Sequence, residues 1–104
     1  MTTKRYRPSV FRSGDRDDNE RHITAVLSRW KVHYIQMPPG AGFDLLVMVN
    51  PVELWEVKNP ALKWSLTKTE QAAKTYCRER GIPYRIIETM EQAVDQLEKK
   101  RAAG

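Results

Sequence analysis

Apolar residues recur along the chain with two different periods, and the switches between them divide it into elements. Ile23, Val26, Leu27 and Trp30 fall at helical spacing, behind Asp17 and Glu20 set like a capping box, so a first helix is expected from about Asp18 to Trp30. Lys31 to Met37 alternates loosely and is rich in β-formers until Pro38, Pro39, Gly40 and Gly42 break it. Phe43 to Val49 and Val52 to Lys58 are two further apolar runs separated by Asn50 and Pro51, the pattern of a β-hairpin, and Asn59 with Pro60 ends it. Ser65 to Arg80 returns to the helical period, opened by Thr67 and Glu70 at capping-box spacing and stopped by Gly81, with Ala72, Ala73, Tyr76 and Cys77 as the expected buried stripe. Pro83 to Glu88 reads as a short fourth strand. A last helix opens near Thr89 and Gln92, buries Met90, Ala93, Val94 and Leu97, and gives way to a polar tail from Glu98 to Gly104.

The expected order is therefore α-β-β-β-α-β-α. A helical crossover from the third strand to the fourth makes that pair parallel by the usual right-handed connection, so the fold class is α/β in the broad sense, an α+β domain with a mixed four-stranded sheet flanked by helices. The 104 residues suffice for one compact domain with an apolar core and are too few for two. That single domain is expected over residues 17–104, with residues 1–16 as a flexible basic arm, because Lys4, Arg5, Arg7, Arg12 and Arg16 come there with little apolar content and no clear period. Such an arm serves equally as a solvated tail and as a contact to DNA.

Charge adds a mild push in one direction: 18 Lys and Arg against 13 Asp and Glu leave a formal +5, which suits a polyanionic partner such as nucleic acid. The single cysteine, Cys77, cannot form an internal disulfide, and with only His22 and His33 beside it no zinc site can be assembled. A reducing cytoplasm is the expected compartment. No apolar run follows the positive charges of the N-terminus, so neither a signal peptide nor a membrane anchor is expected.

The hairpin carries the candidate chemistry. Pairing Val49 with Glu53 across the turn sets Asp44 opposite Lys58 and Leu46 opposite Glu56. Because side chains alternate with period two, Asp44, Leu46, Leu54, Glu56 and Lys58 share one face while Val47, Trp55 and Val57 take the other. Two carboxylates and an ammonium then converge at the open end of two otherwise apolar strands, where burying charge requires pairing or a metal. A hard cation such as Mg²⁺ relieves the mutual repulsion of two carboxylates, polarises a phosphoryl oxygen and lowers the pKa of bound water. From spacing alone, the trio reads equally as a structural salt bridge.

Gly42-Phe43-Asp44-Leu45-Leu46-Val47 followed by Glu56-Val57-Lys58 resembles the signature of the PD-(D/E)xK nuclease superfamily. The likeness covers most of the chain, since that superfamily has an αβββαβ core, the restriction-endonuclease-like arrangement, and Gln71 falls on the next helix where related nucleases often carry a Gln. Within the superfamily the small VRR-NUC and Holliday-junction-resolvase-like nucleases are nearest, including the Gly81-Ile82-Pro83 approach to a strand. Two departures stand out: Phe43 occupies the place of the usual Pro, and no Val-Arg-Arg run lies near Tyr84-Arg85-Ile86. The resemblance implies an endonuclease that hydrolyses DNA phosphodiesters with Mg²⁺ or Mn²⁺, selective for branched DNA, flaps or junctions, and working as a homodimer or larger homo-oligomer. It implies metal ligands at Asp44, Glu56, the Val57 backbone carbonyl and Glu20, and catalytic roles for Asp44, Glu56, Lys58, Gln71 and Glu20. A restriction-type endonuclease and a non-catalytic nucleic-acid-binding module of the same fold are the competing outcomes.

Around this centre the supporting residues have two readings each. Glu20 lies on the side of the core stripe of its helix, as a further acid of the site or as part of a cap. Gln71 is a holder of phosphate, water or Lys58, or a solvated helix residue. Lys63, Lys68, Lys74 and Arg78 surround the second helix with positive charge, suited to DNA phosphates and equally to solvent. Trp64 stacks on a base or edges the core, and Cys77 belongs to the core stripe as a buried thiol.

Overall fold

The computed structural model describes residues 14–103, with side chains from residue 18 onward. Its elements are α1 (Gly14–Arg29), β1 (Tyr34–Gln36), β2 (Leu45–Val47), β3 (Glu53–Val57), α2 (Lys68–Arg80), β4 (Tyr84–Ile87) and α3 (Met90–Ala103), the order read from the sequence. The strands form one mixed sheet in the order β1-β2-β3-β4, antiparallel at the first two junctions and parallel between β3 and β4. The class is therefore α+β. Among the described residues no helix is long and apolar enough to cross a membrane.

Strand alternation decides what each face of the sheet meets. Leu45, Val47, Trp55, Val57 and Ile87 turn to one side and, with Ile23, Val26 and Leu27 of α1 and Ala93 and Leu97 of α3, make the buried core. On the opposite face α2 lies along β4, and Gly42 in the β1–β2 connection comes so close to α2 that a Cβ there would sit 2.9 Å from the Ala73 Cβ. Tyr84 holds that connection from the sheet side, its hydroxyl donating to the Gly42 carbonyl at 2.6 Å.

Helix ends are set by local chemistry. Thr67 and Glu70 form the expected reciprocal capping box, and Gly81 takes the left-handed conformation while the Ile82 amide bonds back to the Cys77 carbonyl at 2.9 Å. Lys31 plays the same part after α1, at φ 58° and with the Val32 amide on the Leu27 carbonyl. The Asn19 side-chain amide donates to the carbonyls of Lys58 and Glu88, at 2.8 and 3.2 Å, and so ties α1 to the ends of β3 and β4.

Four expectations are corrected. Helix α1 starts at Gly14, about a turn early, so residues 14–16 of the expected arm are helical and Asp17 and Glu20 lie within the helix; the rest of the arm falls outside the described residues. Its first turns are supported instead by the Asp18–Arg21 ion pair at i,i+3. In α2 only Glu70 and Cys77 are buried, while Ala72 and Tyr76 are exposed, because the helix meets its neighbours along a narrow line; Arg80 stacks on the free Tyr76 ring at 3.5 Å. Met90 is likewise exposed. The expected polar tail is helical to Ala103, since Lys100 reaches back to Glu53 at 3.2 Å and Arg101 stacks on Trp30 at 4.2 Å.

Gly40 and Gly42 separate backbone strain from crowding. Both have positive φ, 88° and 91°, but a Cβ on Gly40 meets nothing within 4 Å. Gly40→Ala is expected to lower stability by about 1 kcal/mol and Gly42→Ala by at least ~2 kcal/mol, as read by urea denaturation; equal losses would show that the Gly42 seat on α2 contributes nothing.

Candidate active site

The site grows from the β2–β3 register. Val47 pairs with Glu53, Leu46 with Leu54 and Leu45 with Trp55, two residues away from the expected alignment of Val49 with Glu53. The connection is longer than a two-residue turn: the Val49 amide folds back onto the Val47 carbonyl at 2.9 Å, and Met48 donates to His33 on the β1 side. An even slip leaves every side chain on its expected face, but it changes the partners. The ladder ends at Leu45 and Trp55; Asp44, one residue earlier, donates its amide to the Trp55 carbonyl at 3.0 Å and so stands beside the Trp55 to Val57 stretch of β3 rather than across from Lys58.

Asp44 is locked in this position, its Oδ2 accepting the Val57 amide at 2.8 Å. A residue in a strand directs its N–H and C=O to the same edge, so the Val57 carbonyl also faces Asp44. One residue later Lys58 turns its ammonium inward, 3.2 Å from Glu56 Oε2 and 3.0 Å from Glu70 Oε1. All three side chains are less than a tenth exposed. Sequence reading assigned Glu70 only to the cap of α2; in the fold it performs both tasks, because its Oε1 also accepts the Thr67 amide at 3.0 Å. The signal available beforehand was a carboxylate one residue before Gln71, on the helix that crosses back to the sheet.

Electrostatics divide the two glutamates. Burial, then the nearby Asp44 and Glu70 charges and a hydrogen bond to Glu70, push the Glu56 carboxyl up to about 8, against the lowering pull of Lys58. Burial works to raise Glu70 as well, but the Thr67 amide, the Lys58 ammonium and the bond from Glu56 outweigh it and hold that group below its usual range. The shared proton thus resides on Glu56, and Glu70 carries the charge that faces Lys58.

These groups open into a cleft of about 610 Å³ between the Met37–Phe43 loop, the start of α2 and the end of the β2–β3 ladder, with Glu20, Asp44, Glu56 and Glu70 on its walls. Glu20 is steadied from β1 by the Gln36 side-chain amide at 3.0 Å. Gln71 does not join the group: it is exposed on α2 and outside the cleft lining. Lys63, Lys68 and Arg78 are exposed and Lys74 partly so. Trp64 stands beside the cluster, its ring centre 5.8 Å from the Lys58 ammonium and its Nε1 donating to Glu88 at 3.0 Å. Cys77 is buried, with its thiol raised by that burial, and His22 and His33 are exposed.

Among the described residues no three His, Cys, Asp or Glu side chains are arranged as a metal cage. Mg²⁺ does not require one, since it keeps several waters and takes one or two carboxylates together with substrate oxygens. Asp44 and Glu56 fit that demand: both are hard oxygen donors, they line one cleft, and the surplus negative charge that keeps a proton on Glu56 is the charge a cation would neutralise. No protein-family model matches the chain, and comparisons with curated proteins and with solved structures likewise find no match.

The Glu56 carboxyl has a pH consequence for stability. In the unfolded chain it loses its proton near 4.5, in the folded protein near 8, so between these values the folded state binds more protons and stability falls as pH rises. Glu56→Gln, which mimics the protonated form, is expected to be more stable than the parent at pH 7 by on the order of 2 kcal/mol, or ~5 °C in Tm or more, with the gap closing toward pH 4.5. Thermal melts from pH 4 to 8 read it directly, and parallel curves for the two proteins would contradict the assignment.

Proposed function

We propose that the chain is a divalent-metal-dependent endonuclease that hydrolyses DNA phosphodiester bonds. The observation that carries this reading is the meeting of Asp44 and Glu56 at one open cleft with the Lys58 ammonium 3.2 Å from Glu56. The α1-β1-β2-β3-α2-β4 order supports it, being the order that the resemblance to PD-(D/E)xK nucleases implies. So does the cleft, which the aspartate of that signature and the glutamate of its Glu-x-Lys part line together.

Asp44, Glu56 and the Val57 carbonyl are the groups that would hold Mg²⁺ or Mn²⁺, with Glu20 at the wall nearby. When bound, the ion supplies Lewis-acid polarisation of a phosphoryl oxygen and an acidified water. The chain's own residues do the rest. Asp44 stays oriented through the Val57 amide. Lys58 places a positive charge beside the cleft, where charge develops on the phosphate, and its buried setting strengthens that interaction. Lys63, Lys68, Lys74 and Arg78 offset the acidic cleft by contacting the DNA backbone on either side, which positions a duplex without reading its sequence. Branched DNA, flaps or junctions, the substrates that the resemblance implies, are the proposed ones. Cutting a junction symmetrically calls for two such clefts, hence a homodimer.

Incubation with plasmid, linear duplex and four-way-junction DNA, with Mg²⁺, Mn²⁺ or chelator, is the direct test. Cleavage is expected only with metal and best on branched DNA. Glu56→Ala and Lys58→Ala are each expected to lower the rate by on the order of 10²-fold or more while DNA binding, read by gel shift, stays nearly unchanged. Undiminished cleavage in those variants would remove the site from the reaction, and a non-cleaving parent that still binds branched DNA would leave a binding module in its place.

A further inference from the structure

We infer that Glu70 of α2 is the positioning residue that holds the Lys58 ammonium at the cleft; as a role in catalysis this rests on the nuclease reading above. Lysine places its charge on a flexible four-carbon stem with freely rotating donors, so its location depends on what it is bonded to. Lys58 follows the last residue of β3, and its ammonium lies between two acceptors, Glu56 and Glu70. Glu56 is the group assigned to a cation in the proposed reaction. Glu70 is left as the standing anchor.

Its own geometry suits that duty. Glu70 is buried, its Oε1 is fixed by the Thr67 amide at 3.0 Å, and its backbone amide donates to the Thr67 hydroxyl at 3.1 Å, so the carboxylate is in place before any ligand arrives. It also sits in the first turn of α2, where the helix favours a negative charge. The Trp64 ring stands near the ammonium as well, limiting where it can swing. The cap and the tether are one carboxylate, which links the register of α2 to the position of Lys58.

The test separates tether from cap. Glu70→Gln keeps an oxygen for the Thr67 amide but removes the charge from Lys58, whereas Thr89→Ala deletes a comparable cap at α3, where the Thr89 hydroxyl accepts from the Gln92 amide at 3.1 Å, and serves as the stability control. Two readouts are taken: the rate of Lys58 acetylation by acetic anhydride in metal-free protein, followed by peptide mass spectrometry, and steady-state cleavage of the DNA that the parent cuts. Glu70→Gln is expected to speed Lys58 acetylation several-fold and to lower kcat at least tenfold with KM within twofold, while Thr89→Ala matches the parent in both. Should Glu70→Gln not fold, Glu70→Asp, which keeps the charge but falls short of Lys58, is read by the same criteria. Parental acetylation and kcat in the Glu70 variant would overturn this inference and leave the nuclease reading standing. A parent that cuts no DNA would overturn the nuclease reading, and the catalytic role of Glu70 with it, while the acetylation rates alone still decide whether Glu70 holds Lys58.

Discussion

A lysine ammonium shut between two glutamates is the constraint around which the rest of this structure is arranged. Three ionisable side chains, each less than a tenth exposed, meet where β3 ends and α2 begins. Removing such charges from water is expensive, and the cost is recovered only when attraction and hydrogen bonds are nearly complete. Here one carboxyl stays protonated, the other is ionised, and the single positive charge matches the single negative one. That balance fixes α2 against the sheet at its N-terminal end, where little apolar contact would do so: of the residues of α2, Cys77 is the one buried hydrophobic.

A second buried glutamate on the same strand shows how much environment matters. Glu53 faces the core side, fully buried, and its oxygens meet Trp55 Nε1, Gln96 Nε2, Lys100 and Arg85 at 2.9 to 3.6 Å. It is surrounded by donors and cations, so its charge is answered from within the fold and closes the seam between β3, β4 and α3. Glu56 is just as buried but has other carboxylates for neighbours. The first arrangement is a finished structural knot. The second leaves electrostatic tension facing a cleft, which is the more usual condition of a working site.

Much of this was legible in the amino-acid sequence because it depends on short periods. Alternation along the runs 43–49 and 52–58 put Asp44, Glu56 and Lys58 on one face; the register came out two residues off, yet Asp44 and Glu56 line one cleft and Lys58 lies 3.2 Å from Glu56. The α+β class and the parallel β3–β4 pair followed from element order alone. What stayed hidden was non-local. Glu70 has a complete local explanation in its capping box, and nothing in spacing reveals a second bond to a lysine twelve residues earlier. Gln71, chosen on resemblance, lies one position further round the helix and so faces out. The stripe expected on α2 failed for a related reason: periodicity marks which residues share a side, not how wide the neighbour that covers them will be. The ends of α1 and α3 were misjudged where charged residues form helix through ion pairs and stacking rather than burial.

The Asn19 amide, bridging the carbonyls at the ends of two adjacent strands, bears on how the cavity can breathe. It pins α1, and the Glu20 beside it, to the floor of the sheet, so that wall travels with the floor rather than away from it. The opposing wall, from Met37 to Phe43, is fastened through the Tyr84 hydroxyl and the close seat of Gly42 on α2. Both flanks are therefore tied, one to the strand ends and the other to β4 and α2, and a bulky guest has to fit the cleft at its standing width.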